Sequence, residues 1–530
     1  MQVVVPMSGR GSRFVRAGFR EIKPLIEVDG MPIIEHVVAM YPGETDFLFI
    51  CARDHLEETP LRSVLSDLVP QGIIAVVEPH KLGPVHTVLE AREFVRNDTP
   101  VVVNYCDFSV TWDYSHFKRT TSKTGCDGCI TAYRGFHPHS LGPNLYAYMR
   151  EKNGRLLEIR EKGSFTDDRM NEFASAGTYY FRTGQMLIHY FERAYKEGLT
   201  TGGEYYASLP YNLLLEDGLD VLVYELEHFL QWGTPEDLEE YKEWSDYFTH
   251  WASWVPAARQ GVGEGLVPMA GEGLRFVREQ YEDPKPLIPV SGRPMVDRSM
   301  GSFPPCSRWI TLCLSSHLED PRLVPALERG GRKVQVMVVE QPTEGQASTC
   351  LLARDQLDME TPLFIGPCDA GFVYHEGALS EALNEPGIDC LVWTFRDHPH
   401  ANRNPEQYGW VQTDIDGSVT GVSCKKPLGE DVSGDPGVTG AFWFRKARYF
   451  LEAADAMIAA DARINGEFYV DLAIDFLVGA GRRACVFDVI HYICFGTPDD
   501  VRTFEYWERY FSIASHHPYT VSEGGGPVDL

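Results

Sequence analysis

Short runs of β-branched and apolar residues punctuate the first half of the chain. They are Val3–Val5, Phe47–Cys51, Ile73–Val77, Val101–Asn104 and Gly128–Tyr133, each bounded by turn residues. Between them lie stretches with apolar positions at helical spacing, such as Ile33–Met40 and Thr87–Arg96. Strands of this length alternating with helices predict an α/β layer fold on a largely parallel sheet. Asn153-Gly154 and Asp416-Gly417 each stand between apolar runs and predict hairpins in a later antiparallel portion. The clusters Tyr179–Phe181 and Phe442–Phe444 read as buried sheet residues, because alternation and β-propensity account for them.

The pattern then repeats. VVPMSGRGSRF at residues 4–14 returns as LVPMAGEGLRF at 266–276. At the same spacing, Lys23-Pro24-Leu25 answers to Lys285-Pro286-Leu287, Gly83 to Gly345, Thr87 to Thr349 and Asp107 to Asp369. One net inserted residue later, Gly203-Glu204-Tyr205-Tyr206 matches Gly466-Glu467-Phe468-Tyr469, Gly233-Thr-Pro-Glu-Asp matches Gly496-Thr-Pro-Asp-Asp, and Trp244 matches Trp507. Chance does not hold one register through most of each half, and the period suits a whole domain rather than a solenoid repeat. The reading is a tandem duplication: a first domain over 1–256, a Gly-rich linker over 257–265, a second domain over 266–515, and a Gly/Pro/His-rich flexible tail over 516–530.

Composition narrows the partners. With 48 Lys and Arg against 76 Asp and Glu, the 530-residue chain carries a net charge of −28, a field that repels nucleic acid and anionic lipid. Any site for an anionic substrate must therefore build a local cationic pocket. The sequence has no apolar run of roughly 18 residues or more to span a membrane, and Met1–Pro6 lacks the features of a signal peptide. A cytoplasmic enzyme with no membrane insertion is expected, its oligomeric state open. Cys126 and Cys129 form a lone CxxC with no second pair to complete a zinc site, and read as free thiols in a loop.

The candidate chemistry follows the first strand. Gly9-Arg-Gly11 and Gly271-Glu-Gly273 place glycines where backbone N–H groups can approach phosphate oxygens. Phe14 stands where a dinucleotide fingerprint needs its third glycine, and no Walker Gly-Lys-Ser/Thr follows. Instead come Arg13 and then Lys23, with Arg275 and Lys285 in register. Two fixed cations beside such a loop suit a triphosphate whose α-phosphorus is attacked.

These motifs together, GxGxRF…KPL, a Gly-rich loop, an Asp at a strand end, a Glu-Lys pair and a Gly-Thr-Pro-Glu-Asp-Leu helix, resemble the sugar-phosphate nucleotidylyltransferases. Members with Gln-Trp-Gly-Thr-Pro are similar to proteins of capsular or surface-polysaccharide pathways and, more distantly, to phosphocholine cytidylyltransferases. The resemblance implies two tandem Rossmann-like αβα domains with a mostly parallel mixed sheet. It also implies transfer of NMP from an NTP to a sugar 1-phosphate or similar phosphomonoester, with release of pyrophosphate and a Mg²⁺ cofactor. On that model Met7, Ser8, Gly9, Gly11 and Gly83 bind nucleotide, with Met269, Ala270, Gly271, Gly273 and Gly345 in the second half. Arg13 and Lys23 act on the triphosphate and Lys162 on the acceptor phosphate, as do Arg275, Lys285 and Lys425 or Lys426. Asp107 and Asp369 would ligate the metal.

The sequence departs from the family at the second metal-binding Asp, where Gln231 and Cys494 stand. Glu204 and Glu467 are candidate substitutes, though a helix-start charge with no metal contact is the preferred reading. Pro84 removes a backbone donor that Gln346 keeps, so the halves either differ in nucleotide or one is weakened. His228 and His491 read as packed strand histidines. His137-Pro-His139 and His398-Pro-His400 are either near the acceptor or in surface turns. Other readings are one catalytic half with one nucleotide-binding regulatory half, and a cytidylyltransferase for a non-sugar phosphomonoester such as phosphocholine. A glycosyltransferase of related fold would want Asp-x-Asp, but the strand ends read Asp107-Phe-Ser and Asp369-Ala-Gly.

Overall fold

The computed structural model describes residues 1–253 and 261–519 and divides into two units, Met1–Ser245 and Asp246–Leu530. Residues 254–260, which include the first four of the Gly-rich joint, and 520–530 of the C-terminal segment lie outside the described residues.

Beside a two-residue ladder of Glu27–Val28 with Met31–Pro32, the first unit contains β1 (Gln2–Met7), β2 (Phe47–Ala52), β3 (Ile73–Val77), β4 (Val101–Asn104), β5 (Phe108–Thr111), β6 (Gly128–Tyr133), β7 (Ala147–Lys152), β8 (Arg155–Glu161), β9 (Phe173–Phe181), β10 (Val221–Glu225) and β11 (His228–Gln231). Nine of them form one sheet in the order β3-β2-β1-β4-β9-β6-β10-β8-β7, and β5 pairs separately with β11. The sheet is mixed. β1 runs parallel to β2 and β4, β2 to β3, and β6 to β10, whereas β9 lies antiparallel between β4 and β6. Val3, Val4, Leu48, Phe49, Val102 and Val103 are fully buried, so the central strands are covered on both faces and read as unbroken apolar runs.

The second unit contains β12 (Glu264–Met269), β13 (Trp309–Leu314), β14 (Val334–Val339), β15 (Leu363–Ile365), β16 (Ala370–Val373), β17 (Cys390–Phe395), β18 (Gly409–Thr413), β19 (Val419–Cys424), β20 (Gly437–Phe444), β21 (Ala484–Asp488) and β22 (His491–Cys494). Its sheet runs β14-β13-β12-β15-β20-β17-β21, with β18 joining β19 to β20, and β16 pairs with β22. β12 begins at Glu264, within the stretch read as a linker.

Two local features position the site. Pro6 stands in a central strand, yet β4 pairs only with Gln2–Val4. Gln2 N–H points toward β4 and Val3 N–H toward β2, so position 6 faces the β4 side beyond that strand's last partner. The missing N–H of Pro6 therefore costs no ladder bond, and β1 outruns its neighbour just where its loop must open. The turn at Asn153-Gly154 has φ 54° and 74°, the two positive values that a tight hairpin between β7 and β8 requires. The helix expected over 87–96 instead starts at Pro84, whose fixed φ suits a first helical position, and stops at Glu90 before a short turn at Arg92–Phe94.

Candidate active site

After Met7 the chain turns through Ser8, Gly9, Arg10 and Gly11 into the short helix Ser12–Arg16. Gly11 caps that helix at φ 56°, a left-handed conformation that glycine adopts without steric cost. Arg13 is exposed on the helix. Lys23 opens the turn Lys23–Leu25, and its Nζ lies 2.8 Å from Asp107 Oδ2 and 5.2 Å from the centre of the Phe14 ring. Asp107 follows β4, so the pair joins the ends of the first strand's loop and its neighbour. Both side chains line a cavity of about 620 Å³ at the open end of the sheet. Met7, Ser8, Gly9, Gly11, Arg13, Gly83, Lys162 and Glu204 line the same cavity.

Gly83 and Thr87 form one wall. A Cβ on Gly83 would stand 2.8 Å from Tyr205 N and 2.9 Å from Tyr205 O, so this backbone crossing admits only glycine. Thr87 Oγ1 lies 2.6 Å from Ser8 Oγ and 3.2 Å from His80 Nε2, tying the loop after β1 to the helix that Gly83 caps. His80 has no histidine counterpart in the second half, where Pro342 stands in register.

At the far wall Lys162 adopts φ 56°, and its N–H donates to Tyr146 O at 2.9 Å. Its Nζ donates to Tyr206 OH at 2.7 Å, and that hydroxyl donates to Glu204. Beside it is the glutamate of the Glu-Lys pair, to which the sequence reading gave no role. Glu161 lines the cavity and accepts a 2.5 Å hydrogen bond from buried Ser208 Oγ. Burial raises its carboxyl to about 7, against the lowering effects of Ser208 and Lys162. A perturbed carboxyl beside a lysine in a cleft is a functional-site signature.

The second unit repeats the central pair: Lys285 Nζ lies 2.5 Å from Asp369 Oδ2. Burial alone would lower the Lys285 pKa, but the Asp369 charge outweighs it and the pKa is raised; Asp369 is correspondingly lowered. β12 delivers buried Met269 and Ala270, and Gly271 and Gly273 follow, the latter capping the helix Leu274–Arg278 that carries Arg275. Gly345 crosses the Phe468 backbone even more closely, its hypothetical Cβ 2.6 Å from both N and O. Lys425 shares φ 56°, its N–H donates to Tyr408 O at 3.0 Å, and its Nζ donates to Gln407 O. Lys426 is exposed. Tyr469 stands two residues from Glu467, as Tyr206 does from Glu204, and feels its charge.

Gln231 and Cys494 occupy matching places. A Cβ on Gly233 would meet Gln231 Nε2 at 2.5 Å and Asp107 Oδ2 at 3.1 Å; one on Gly496 would meet Cys494 Sγ at 3.3 Å and Asp369 Oδ2 at 3.5 Å. The Cys494 thiol is pushed up by burial and by Asp500 and Asp369, so it stays protonated and offers a hard cation nothing. Gln231 contributes at most a neutral amide oxygen. Asp107 and Asp369 are thus the residues of these two pairs whose oxygens suit a divalent cation.

His137, His139, His228 and His491 are buried, and His398 and His400 half-buried, so none of the four in the His-Pro-His turns is a surface residue. Burial lowers His137 and His491 to about 4 and His398 to about 3, and His139 well below its ordinary value. His139 Nε2 meets Tyr133 OH at 2.8 Å, and His400 Nδ1 meets Tyr408 OH at 2.7 Å. His228 is buried in β11. Cys126 and Cys129 are buried free thiols. Among the described residues, His80, His86 and Glu90 gather closely enough to suggest a metal. His80 Nδ1, however, accepts the Leu82 N–H at 3.1 Å, which leaves the neutral ring's proton on Nε2 and no lone pair there for an ion.

Residues 3–166 match the model of the MobA-like NTP transferase domain. The first half of the chain carries an NTP transferase domain. The match spans both the loop after β1 and Lys162, so the resemblance read from the sequence is borne out there. The chain is 26% identical over 223 residues to CMP-5'-(3-aminopropyl)phosphonate synthase of Streptomyces rubellomurinus, covering 41% of this chain and 34% of that protein. It is 29% identical over 147 residues to the bifunctional protein GlmU of Rhizobium rhizogenes, covering 27% and 31%. The chain thus spans about a third of the length of these curated relatives. Among solved structures, the nucleoside-diphosphate-sugar pyrophosphorylase of Vibrio cholerae aligns at 22% identity over 45% of this chain and 98% of that one, with a TM-score of 0.36. The inositol-1-phosphate CTP transferase of T. maritima aligns at 16% identity over 47% and 97%, with a TM-score of 0.38. Among the described residues, no helix is long and apolar enough to cross a membrane.

Proposed function

We propose that the chain is a tandem pair of nucleotidyltransferase units, each transferring NMP from an NTP to a small phosphorylated acceptor. The observation that carries this reading is the Lys–Asp pair at the mouth of each Gly-rich loop, Lys23–Asp107 and Lys285–Asp369, with a second lysine at the acceptor side. An acceptor phosphate oxygen attacks the α-phosphorus, the bond to the bridging oxygen of the β-phosphate breaks, and pyrophosphate leaves. No protein nucleophile is needed, so positioning and charge neutralisation supply the rate.

Each side chain then has a task. The loop Ser8–Gly11 takes the triphosphate on its backbone N–H groups and Arg13 neutralises its outer charge. Lys23 swings between Asp107 and the oxygens of the reacting phosphorus. Lys162 holds the acceptor phosphate, and Glu161 accepts a hydrogen bond from a donor on the acceptor's body. A divalent cation, Mg²⁺ by its preference for oxygen, would be held by Asp107 or Asp369 and would neutralise charge between the α-phosphate and the leaving group. Glu204 and Glu467 stay with their tyrosines in this reading.

A sugar 1-phosphate, serving surface-polysaccharide synthesis in the cytoplasm, is the first acceptor class. A cytidylyl transfer to a small amine-bearing phosphonate or phosphomonoester is the second, favoured by the Glu161 carboxyl at the acceptor wall and by the aminopropylphosphonate product named for the Streptomyces relative. Pyrophosphate release across CTP, UTP, dTTP and ATP with glucose 1-phosphate, inositol 1-phosphate, phosphocholine and 3-aminopropylphosphonate tests both. No release with any pair overturns the reading. Loss in Lys23→Ala with Lys285→Ala unaffected reduces the second unit to a regulatory role.

A further inference from the structure

The acceptor walls of the two units differ in one co-ordinated way. Lys162 and Lys425 occupy equivalent places: each has φ 56°, each donates its N–H to a tyrosine carbonyl, and each lies over a tyrosine ring, at 4.7 Å for Tyr206 and 5.7 Å for Tyr469. The residue before the lysine is Glu161 in the first unit and Cys424 in the second. Two residues beyond the tyrosine stand Ser208 and Asp471. Carboxylate and small donor have therefore changed places. Ser208 Oγ donates to Glu161 at 2.5 Å, and the Cys424 thiol feels the charge of Asp471.

A third position moves with them. Ala147 lines the first unit's cavity, and in register with it stands Gly409. A Cβ on Gly409 would lie 2.3 Å from Asp471 Oδ2. The Asp471 carboxylate thus lies against the strand position that matches a cavity-lining residue, in space that the missing methyl opens. It is buried, feels the Lys425 charge, and burial raises its pKa, as burial raises that of Glu161.

We propose that Asp471 is the acceptor-recognising carboxylate of the second unit, presented from the start of the helix Val470–Gly479 in the place that Glu161 holds from β8 in the first. It accepts a hydrogen bond from a hydroxyl or ammonium on the acceptor whose phosphate Lys425 holds. Both units then read the same kind of acceptor although neither residue is retained at its own position. The inference rests on the tandem nucleotidyltransferase reading.

The test uses the full chain with one unit silenced, pyrophosphate release as readout, and the acceptor panel above. In a Lys23→Ala background, Asp471→Asn should raise the acceptor KM about 10- to 100-fold, the loss of a hydrogen bond to a charged group, with kcat within a few-fold. The reverse exchange G409A/C424E/D471S should restore KM. If only the first unit turns over, the exchange is read there in a Lys285→Ala background: E161C raises KM and A147G/E161C/S208D restores it. A neutral polyol phosphate and an aminoalkyl phosphonate separate hydroxyl from ammonium recognition. An unchanged KM in D471N, or failure of the three-residue exchange in a chain with an unaltered melting temperature, overturns the inference alone. A wild-type chain that releases no pyrophosphate with any pair overturns the functional reading and this inference with it.

Discussion

Lys23 Nζ and Asp107 Oδ2 meet at 2.8 Å across the mouth of the cavity, with both side chains still partly open to solvent. An ion pair in that setting contributes about 0–1 kcal/mol to stability, so its place in the fold does not explain it. Lys23→Ala should lower turnover by the first unit about 10²- to 10³-fold, the scale for removing one preorganised donor. The melting temperature should move by no more than a few degrees. A large stability loss with activity retained would assign the pair to the fold.

Glu161 gives a pH dependence of defined sign. Its carboxyl is raised from the ordinary 4.5 to about 7, so the folded chain binds a proton there more tightly than the unfolded chain. The associated stability is complete below 4.5 and is lost as the pH rises toward 7. Thermal melts between pH 4.5 and 7.5 should show this slope in wild type and a shallower one in Glu161→Gln. Equal slopes in both would show that the carboxyl titrates normally.

Gly345 lies at φ 116°, and its hypothetical Cβ falls 2.6 Å from the Phe468 backbone. Gly345→Ala should destabilise the second unit by roughly 1–3 kcal/mol through this strain. Nucleotide affinity there should fall with it, because Gly345 caps the helix Gln346–Leu351. Denaturant unfolding together with nucleotide titration checks both.

Asp297 is wholly buried and meets Arg293, Arg329 and Arg332 at 2.9, 3.1 and 2.7 Å. Asp297→Ala strands buried guanidinium charge and should cost about 3–5 kcal/mol, the scale for breaking a buried pair. A melt indistinguishable from wild type would show the arginines satisfied by other groups.

Much of the first unit's frame was legible. Val3–Val5, Phe47–Cys51 and Val101–Asn104 lie in strands because their unbroken apolar runs can only be buried on both faces, and Asn153-Gly154 marks its hairpin because few dipeptides take two positive φ values. Lys23 and Asp107 stood out because the second half repeats them. The same comparison hid the role of Glu161, because its counterpart is Cys424, and it gave no reason to single out Asp471. Only the packing of Asp471 against Gly409, the strand partner of Cys424, puts the pairs Glu161–Ser208 and Cys424–Asp471 in corresponding places. The start of the helix at Pro84 escaped the periodicity for another reason, since Gly83 and Pro84 mark it by backbone conformation rather than by apolar spacing.

The missing methyl at Gly409 also bears on history. With alanine there, an aspartate at 471 could not keep its present carboxylate position. On the proposed tandem reading, descent from a chain resembling the first unit would require the glycine before or with the aspartate, and an ancestral reconstruction should pass through a chain carrying Gly409 and both carboxylates.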